Sequence, residues 1–470
     1  MKELLELCAY KPEEIEQELP RVKRSFERLG VTPEDIEISK ERIKEFFEIE
    51  LLGVRKILGV YLRELIALGL AREEHEKVIY TALPNLSGDL LATAMTKEGA
   101  SVYVGIPDLL LMLVLQVFFN KNIKHYEAAE KHALTMGNAH CGCKQTHLGA
   151  LLCGTIPKPD LHVGFAIYCD EAPKVDTLYE ELFDIPVSIV SRCQDIDWHD
   201  PELAPPRAVN YFADSMRRTV KDVEKIVGYE ITDEMIGACF MDTMGFFVNF
   251  VKLGTMVCNS DPLPISMTTL WYFYIMLAVT VRPGNRIRRK DALETLIAET
   301  EGRIKRGEGV SEKGAPRIIL GAVPSMVDPS LDGLIRELGL SIPVVESQCW
   351  APEGDLMPNL GDPGNPVDPY TGLATFFMAH PIVGSLSTRI QSLIKACKKY
   401  KMEGAILLLH YSCRPFATDA LMVKDALRKA LGIPVLVLEG DLYDPRYYTK
   451  EQLRTRIESF AELVKASRVS

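Results

Sequence analysis

A chain of 470 residues, 47% of them apolar, is long enough to bury a large core and predicts roughly two to four domains. Its formal net charge of −11 argues against nucleic acid as the main partner, because a phosphate backbone selects a basic face. Eleven cysteines, an odd number, argue against a fully paired secreted framework. The opening Met1-Lys2-Glu3-Leu4-Leu5-Glu6 shows no signal-peptide pattern, so a reducing cytoplasm is expected, where clustered thiols read as metal-binding or redox-active.

Residues 1–75 predict a charged helical segment. Lys11-Pro12-Glu13-Glu14 and Val31-Thr32-Pro33-Glu34-Asp35 carry proline and acids where a first helical turn wants them. Phe46, Leu51, Val54, Leu58, Leu62 and Ile66 recur at helical spacing, and this part reads as a packing module with Cys8 as a bystander. From Lys77 the pattern changes. Residues 77–84, 99–105, 161–169 and 185–193 read as four short apolar strands separated by helices, the signature of a parallel α/β sheet. Residues 208–298 read as mainly helical, and 303–313 as a polar break. Two apolar runs need a membrane check. Residues 109–119 are too few to span. Residues 263–281 hold Ser266, Thr268, Thr269 and Thr280 between flanking prolines, and predict a buried helix, so no membrane partner is expected. The α/β pattern then returns at 317–324, 341–346, 404–411 and 433–439, in the same order, and Ile433-Pro434-Val435 repeats Ile185-Pro186-Val187. Residues 449–466 read as an amphipathic helix. The chain thus holds two copies of one α/β unit, about 77–205 and 315–448, joined by a helical insert.

The chemistry gathers at His140-Cys141-Gly142-Cys143-Lys144-Gln145-Thr146-His147. Cys141 and Cys143 precede a helix expected to begin at Lys144, whose N-terminus would favour thiolates. Cys169 and Cys413 end the third strand of each copy. Cys193 ends the fourth strand of the first copy, and Cys349 follows the second strand of the second. In open parallel sheets, ligands bind beyond the carboxyl ends of the strands, so two facing sheets would bring these thiols into one cleft. Any one of them reads equally as a small buried hydrophobe; several at corresponding strand ends point to a soft-metal site. Cys153, Cys239, Cys258 and Cys397 lie in helical patterns and are assigned to packing. Structural zinc prefers C-x2–4-C pairs, which are absent, and thiols spread from Cys141 to Cys413 suit an iron–sulfur centre better. His140 and His147 are candidate ligands, proton carriers or packing residues. His410 is a further candidate donor, and Arg414 is placed to orient an anionic group. There is no Walker A pattern, dinucleotide fingerprint or Ser-His-Asp order, and residues 361–366 read as a loop over the cleft.

Tyr168-Cys169-Asp170, Glu346-Ser347-Gln348-Cys349 and His410-Tyr411-Ser412-Cys413 resemble the 2-hydroxyacyl-CoA dehydratase and benzoyl-CoA reductase superfamily. So do residues 432–441, Asp444-Pro445-Arg446 and residues 451–458, over about residues 77–467 in all. The resemblance implies two flavodoxin-like parallel-sheet lobes: a helical segment 1–75, a first lobe 76–207, a helical insert 208–314, and a second lobe 315–470 with a C-terminal helix. It implies an oxygen-sensitive enzyme with a [4Fe-4S] cluster on three cysteines, fed with low-potential electrons by a separate ATP-hydrolysing iron–sulfur activator. It also implies pairing, as a homodimer or a heterodimer with a related subunit. One branch, the double-cubane proteins, carries an [8Fe-9S] cluster and reduces small molecules. Cys141, Cys143, Cys169, Cys193, Cys349 and Cys413 supply the six thiols that two three-cysteine cubanes would need, and the count favours that branch. The alternatives are a single-cluster subunit acting on an acyl-CoA, a non-catalytic electron-transfer subunit, and a zinc-stabilised α/β protein.

Overall fold

A computed structural model describes residues 1–82, 88–134, 140–193, 204–348, 361–362, 365–366, 368–378, 385–441, 443–447 and 450–468. The N-terminal helices Pro12–Leu29, Pro33–Phe46 and Leu52–Gly69 start and stop where local chemistry says. The first ends at Gly30, with φ of 74°, and Thr32 and Asp35 cap the second reciprocally, the Asp35 carboxylate accepting the Thr32 N–H at 2.7 Å. The third lies against the Pro283–Arg306 helix of the insert. A Cβ on Gly53 would come within 2.7 Å of Leu296, and Glu299 accepts the Leu52 and Gly53 N–H groups at 2.7 and 2.9 Å. The N-terminal segment and the insert therefore share one core, which continues under both sheets.

The eight expected strands are present. The first sheet contains β1 (Lys77–Thr81), β2 (Val102–Gly105), β3 (Leu161–Ala166) and β4 (Val187–Ser191), all parallel in the order β2-β1-β3-β4. The second contains β5 (Arg317–Gly321), β6 (Ser341–Val345), β7 (Gly404–His410) and β8 (Val435–Gly440), in the order β8-β7-β5-β6. Read from the opposite edge, this is the same topology: second strand, first, third, fourth. The sequence repeat is thus a structural repeat. Helices cover both faces, which is why the strands are near-continuous apolar runs. In each sheet the order reverses between the first and third strands, β1 and β3 or β5 and β7, which opens a crevice beyond their carboxyl ends. The loop expected over the cleft carries a two-residue antiparallel ladder, Gly361–Asp362 against Asn365–Pro366.

Residues 107–119 form one short buried helical run with a π-turn in its middle, and Met267–Val279 is a buried helix capped by Ser266. The Asp233–Cys258 helix is long and apolar enough to cross a membrane, but half of its apolar window is buried inside the fold.

Candidate functional site

The Cys-Gly-Cys turn is built by contact with the other lobe. Cys141 is the N-cap of the Gly142–Leu152 helix, which begins two residues earlier than the sequence suggests, and its carbonyl accepts the Lys144 and Gln145 N–H groups at 2.9 and 3.0 Å. A Cβ on Gly142 would lie 2.8 Å from the Tyr443 carbonyl oxygen, so the chain after β8 packs directly on the residue between the two thiols. Lower in the helix, a Cβ on Gly149 would lie 1.8 Å from the His125 carbonyl oxygen, so this helix touches Ile123–His132 backbone to backbone. Asn122 Nδ2 donates to Thr146 Oγ1 and Tyr126 Oη, both at 3.0 Å, and Tyr126 donates to the Tyr443 carbonyl. This buried chain of bonds fixes the turn between the lobes.

Cys169 lies on the loop after β3, just ahead of the Glu171–Phe183 helix, and Cys413 follows β7, ahead of the short Arg414–Thr418 helix. Both switch-point loops thus present a thiol. Burial is the largest cause raising the Cys143, Cys169 and Cys413 thiols; Cys141 raises all three further, and Cys169 acts on Cys413. The pairing of Arg414 with Asp170 joins the residues next to Cys413 and Cys169, and the contact of Tyr443 with Gly142 brings the second lobe to Cys141 and Cys143, so the four cysteines share one neighbourhood. The Ala172 and Glu171 N–H groups at Cys169, and the Phe416 N–H at Cys413, pull the other way by favouring thiolate. Cys193 sits two residues past β4, the edge strand, one strand away from the switch point. Cys349 falls outside the described residues. Cys239, Cys258 and Cys397 are buried as expected, but Cys153 is exposed: it caps the end of its helix at the lobe surface and does not pack. Among the described residues, no three His, Cys, Asp or Glu side chains converge where one metal ion would sit. A cubane asks for something else, since each cysteine binds a different iron and the sulfurs stand around the cluster.

At the rim, His140 Nδ1 lies 2.7 Å from Glu171 Oε1. Arg414 crosses from the second lobe to donate to Glu171 Oε2 at 3.2 Å and to pair with Asp170. Two carboxylates of the chain itself thus occupy the guanidinium expected to meet an anionic group. His147 lies in the core of the first lobe, 5.2 Å from the His162 ring, 5.0 Å from Tyr179 and 5.8 Å from Tyr80, and burial drives its pKa well down. His410, the last residue of β7, stacks on Tyr443 at 5.2 Å, and burial again favours the neutral ring.

Several site residues receive no individual role from the sequence, although Glu346, Asp441, Asp444 and Arg446 stand in stretches that carry the resemblance. Asp441 follows β8, is buried, and accepts the Tyr443 N–H at 2.8 Å; burial raises its carboxyl to about 6. Its strand-end position is the one that singled out the cysteines, and applying that rule to carboxylates would have found it. Tyr443 faces Cys413, Cys143 and Cys141. Arg446 binds Asp444 at 3.0 Å and Glu130 at 3.1 Å, so the Asp444-Pro445-Arg446 stretch ties the second lobe to the Ile123–His132 helix. Glu346 pairs with Arg389 at 2.9 Å behind β6.

The match to known proteins runs through these elements. Residues 106–464 match the family model of the 2-hydroxyglutaryl-CoA dehydratase D-component. The (R)-phenyllactyl-CoA dehydratase alpha subunit of Clostridium sporogenes is 21% identical over 347 residues, 72% of this chain and 80% of that subunit. The lactoyl-CoA dehydratase subunit alpha of Anaerotignum propionicum is also 21% identical, over 74% of this chain and 77% of its own. One subunit of the benzoyl-CoA reductase of Thauera aromatica is 29% identical over 104 residues, only 22% of this chain and 24% of that subunit. The matched span begins just after β2 and holds the thiols of both switch-point loops and the whole second sheet, and the chain belongs to the family of the 2-hydroxyglutaryl-CoA dehydratase D-component.

Proposed function

We propose that this chain is the cluster-bearing subunit of a 2-hydroxyacyl-CoA dehydratase-type enzyme, with a [4Fe-4S] cluster on Cys141, Cys169 and Cys413. The observation that carries the reading is the convergence, where the lobes touch, of partly buried thiols from both switch-point loops and from a helix N-cap. The donor set fits the group: soft sulfur ligands, with backbone N–H groups directed at two of them. A bound cluster supplies one-electron chemistry and an iron able to act as Lewis acid on a thioester carbonyl or a leaving hydroxyl.

The chain's own groups then have distinct tasks. Glu171 orients His140 through Nδ1, which leaves Nε2 as the proton-carrying atom at the rim. Arg414 pairs across the cleft with Glu171 and Asp170 and ties the loop after β7 to the loop after β3. A separate ATP-hydrolysing activator is the proposed electron source. A related subunit is the proposed partner, in keeping with relatives named as alpha subunits. Cys143 favours a second reading: a fourth thiol in the same neighbourhood fits an [8Fe-9S] double cubane and reduction of a small substrate, with Cys193 and Cys349 completing six. Iron and acid-labile sulfide per chain, measured on anaerobically purified protein with EPR after reduction, test both. About four irons support the single cluster and about eight the double cubane. Zinc without sulfide overturns both.

A further inference from the structure

The Asp233–Cys258 helix of the insert buries one face and leaves the other bare. Phe240, Phe247, Phe250 and Leu253 point into the core. The opposite face presents Glu234, Ala238, Met241, Gly245, Val248 and Lys252, all exposed and recurring every three or four residues, the spacing of one side of an α-helix. Met241 is 55% exposed and Val248 49%. Ile287, 72% exposed, widens the patch from the neighbouring Pro283–Arg306 helix, where it stands between Arg286 and Lys290, which both reach Asp242.

Gly245 is central to this face, and nothing in the described chain requires a glycine there. Glycine inside a helix is destabilising relative to alanine. At Gly53 and Gly149 the reason is visible, since a Cβ would run into the backbone of a neighbouring helix. A Cβ on Gly245 would meet no atom of the described residues within 4 Å, and no positive φ requires the residue. Gly237 and Gly254 are likewise open but stand half-buried to the sides. The close neighbour that a glycine in the middle of a bare apolar face suits is a second helix from outside the chain.

The face is complementary to itself. About a two-fold axis through Gly245, two such helices run antiparallel and glycine meets glycine. Met241 of one copy then faces the Val248 end of the other. Asp233 and Glu234, in the acidic first turn, come within about one turn of Lys252 of the second copy. A parallel pairing would instead set acid beside acid and Lys252 beside Lys252. Glu234, Lys252 with Glu301 at 3.1 Å, and Asp242 beneath its cations put charge along the patch, which suits a protein partner in water and not lipid chains.

We propose that this face is the contact between two copies of the chain, with the Asp233–Cys258 helices crossing antiparallel at Gly245. The pairing rests neither on the iron–sulfur reading nor on a related subunit.

Sedimentation equilibrium of the full chain at micromolar concentration should give a dimer. Val248→Glu places a carboxylate in the contact and should weaken dimerisation by about tenfold or more. Ile38→Glu, at an exposed apolar position on the Pro33–Phe46 helix, should leave it unchanged. The register is read by disulfide trapping with peptide mass spectrometry. Gly245→Cys sits on the axis and should link to itself, whereas Glu234→Cys lies about 33 Å from its mate and should not. A monomeric wild type, a dimer that Val248→Glu does not weaken, or self-linking through position 234 would each overturn the proposal. So would a monomer that floats with phosphatidylcholine vesicles, which would assign the patch to lipid. If Val248→Glu does not fold, the trapping decides alone: a 245–245 link supports the pairing and its absence defeats it. The dimer is read whether or not iron is bound, so loss of the cluster reading leaves this test intact.

Discussion

Gly142 is set by a surface that is not its own. Between two cysteines a glycine looks like turn chemistry, yet what requires it is the Tyr443 carbonyl 2.8 Å from the position a Cβ would take. Gly142→Ala forces the lobes apart at the thiols. We expect a loss of about 1–3 kcal/mol in urea denaturation, the usual range for overpacking, together with reduced iron per chain. Gly142→Ser should behave likewise, and a variant with wild-type stability and iron would show that the lobes can re-dock. The thiols are expected to divide as their positions do. Cys169→Ser and Cys413→Ser lose cluster iron, while Cys239→Ser, in a helix of the insert, keeps it; full iron retention in both of the first two would defeat the ligand assignment. The thiols stood out in the sequence because cysteine at a strand end is rare chemistry in a recognisable place. Tyr443 did not, since a tyrosine in a loop becomes informative only once its contact with Gly142 of the other lobe is known.

Among elements, the pairing of the Gly142–Leu152 and Ile123–His132 helices carries its own pH dependence. Between them His125 is buried, with Nε2 2.9 Å from Thr155 Oγ1 and Nδ1 beside Asn122, and burial lowers its pKa to about 3. The folded protein keeps this ring neutral; the unfolded chain protonates it near 6.5. Its stabilising contribution is therefore complete above pH 6.5 and is lost as pH falls toward 3, by about 1.4 kcal/mol per unit, or about 2 kcal/mol by pH 5. His147, His162 and His410 are also held below their ordinary values and add in the same direction. Urea denaturation of the apoprotein at pH 7 and pH 5 should show a smaller difference for His125→Gln than for wild type; equal differences would remove His125 from the account. The strands and their order of appearance were legible because apolar runs of this length between helical patterns have few other solutions. The helix start at Gly142 was displaced because two thiols and a glycine look like a loop until Cys141 is seen to cap it. The exposure of Cys153, and the common core of the N-terminal helices and the insert, were illegible for one reason: both depend on which segments meet across long stretches of chain.

At the scale of the whole molecule, the site exists only while two lobes of like topology stay apposed, and two arginines span them under different conditions. Arg414 is 48% exposed and Asp170 is 53% exposed, so water screens that pair, and the buried Glu171 keeps His140 as a partner when Arg414 is removed. Its loss should cost no more than about 1 kcal/mol, as for surface ion pairs generally. Arg446 is the stronger clamp. It joins Glu130 of the first lobe to Asp444, which is only 2% exposed, and lies over the Tyr126 ring whose hydroxyl reaches Tyr443. In Arg446→Met the Asp444 carboxylate is left buried without its cation, and a stranded buried charge costs about 3–5 kcal/mol. Glu130→Gln leaves Arg446 on Asp444 and should cost about 1 kcal/mol or less. The expected ranking in urea denaturation is Arg446→Met well below Glu130→Gln and Arg414→Met, with the latter two close to wild type. The same ranking should hold for cluster loss in air, because Asp444, held by Arg446, directly follows Tyr443, which packs on Gly142 between the thiols. If Glu130→Gln destabilises as much as Arg446→Met, the inter-lobe contact itself supplies the energy; if Asp444→Asn rescues Arg446→Met, the stranded carboxylate does.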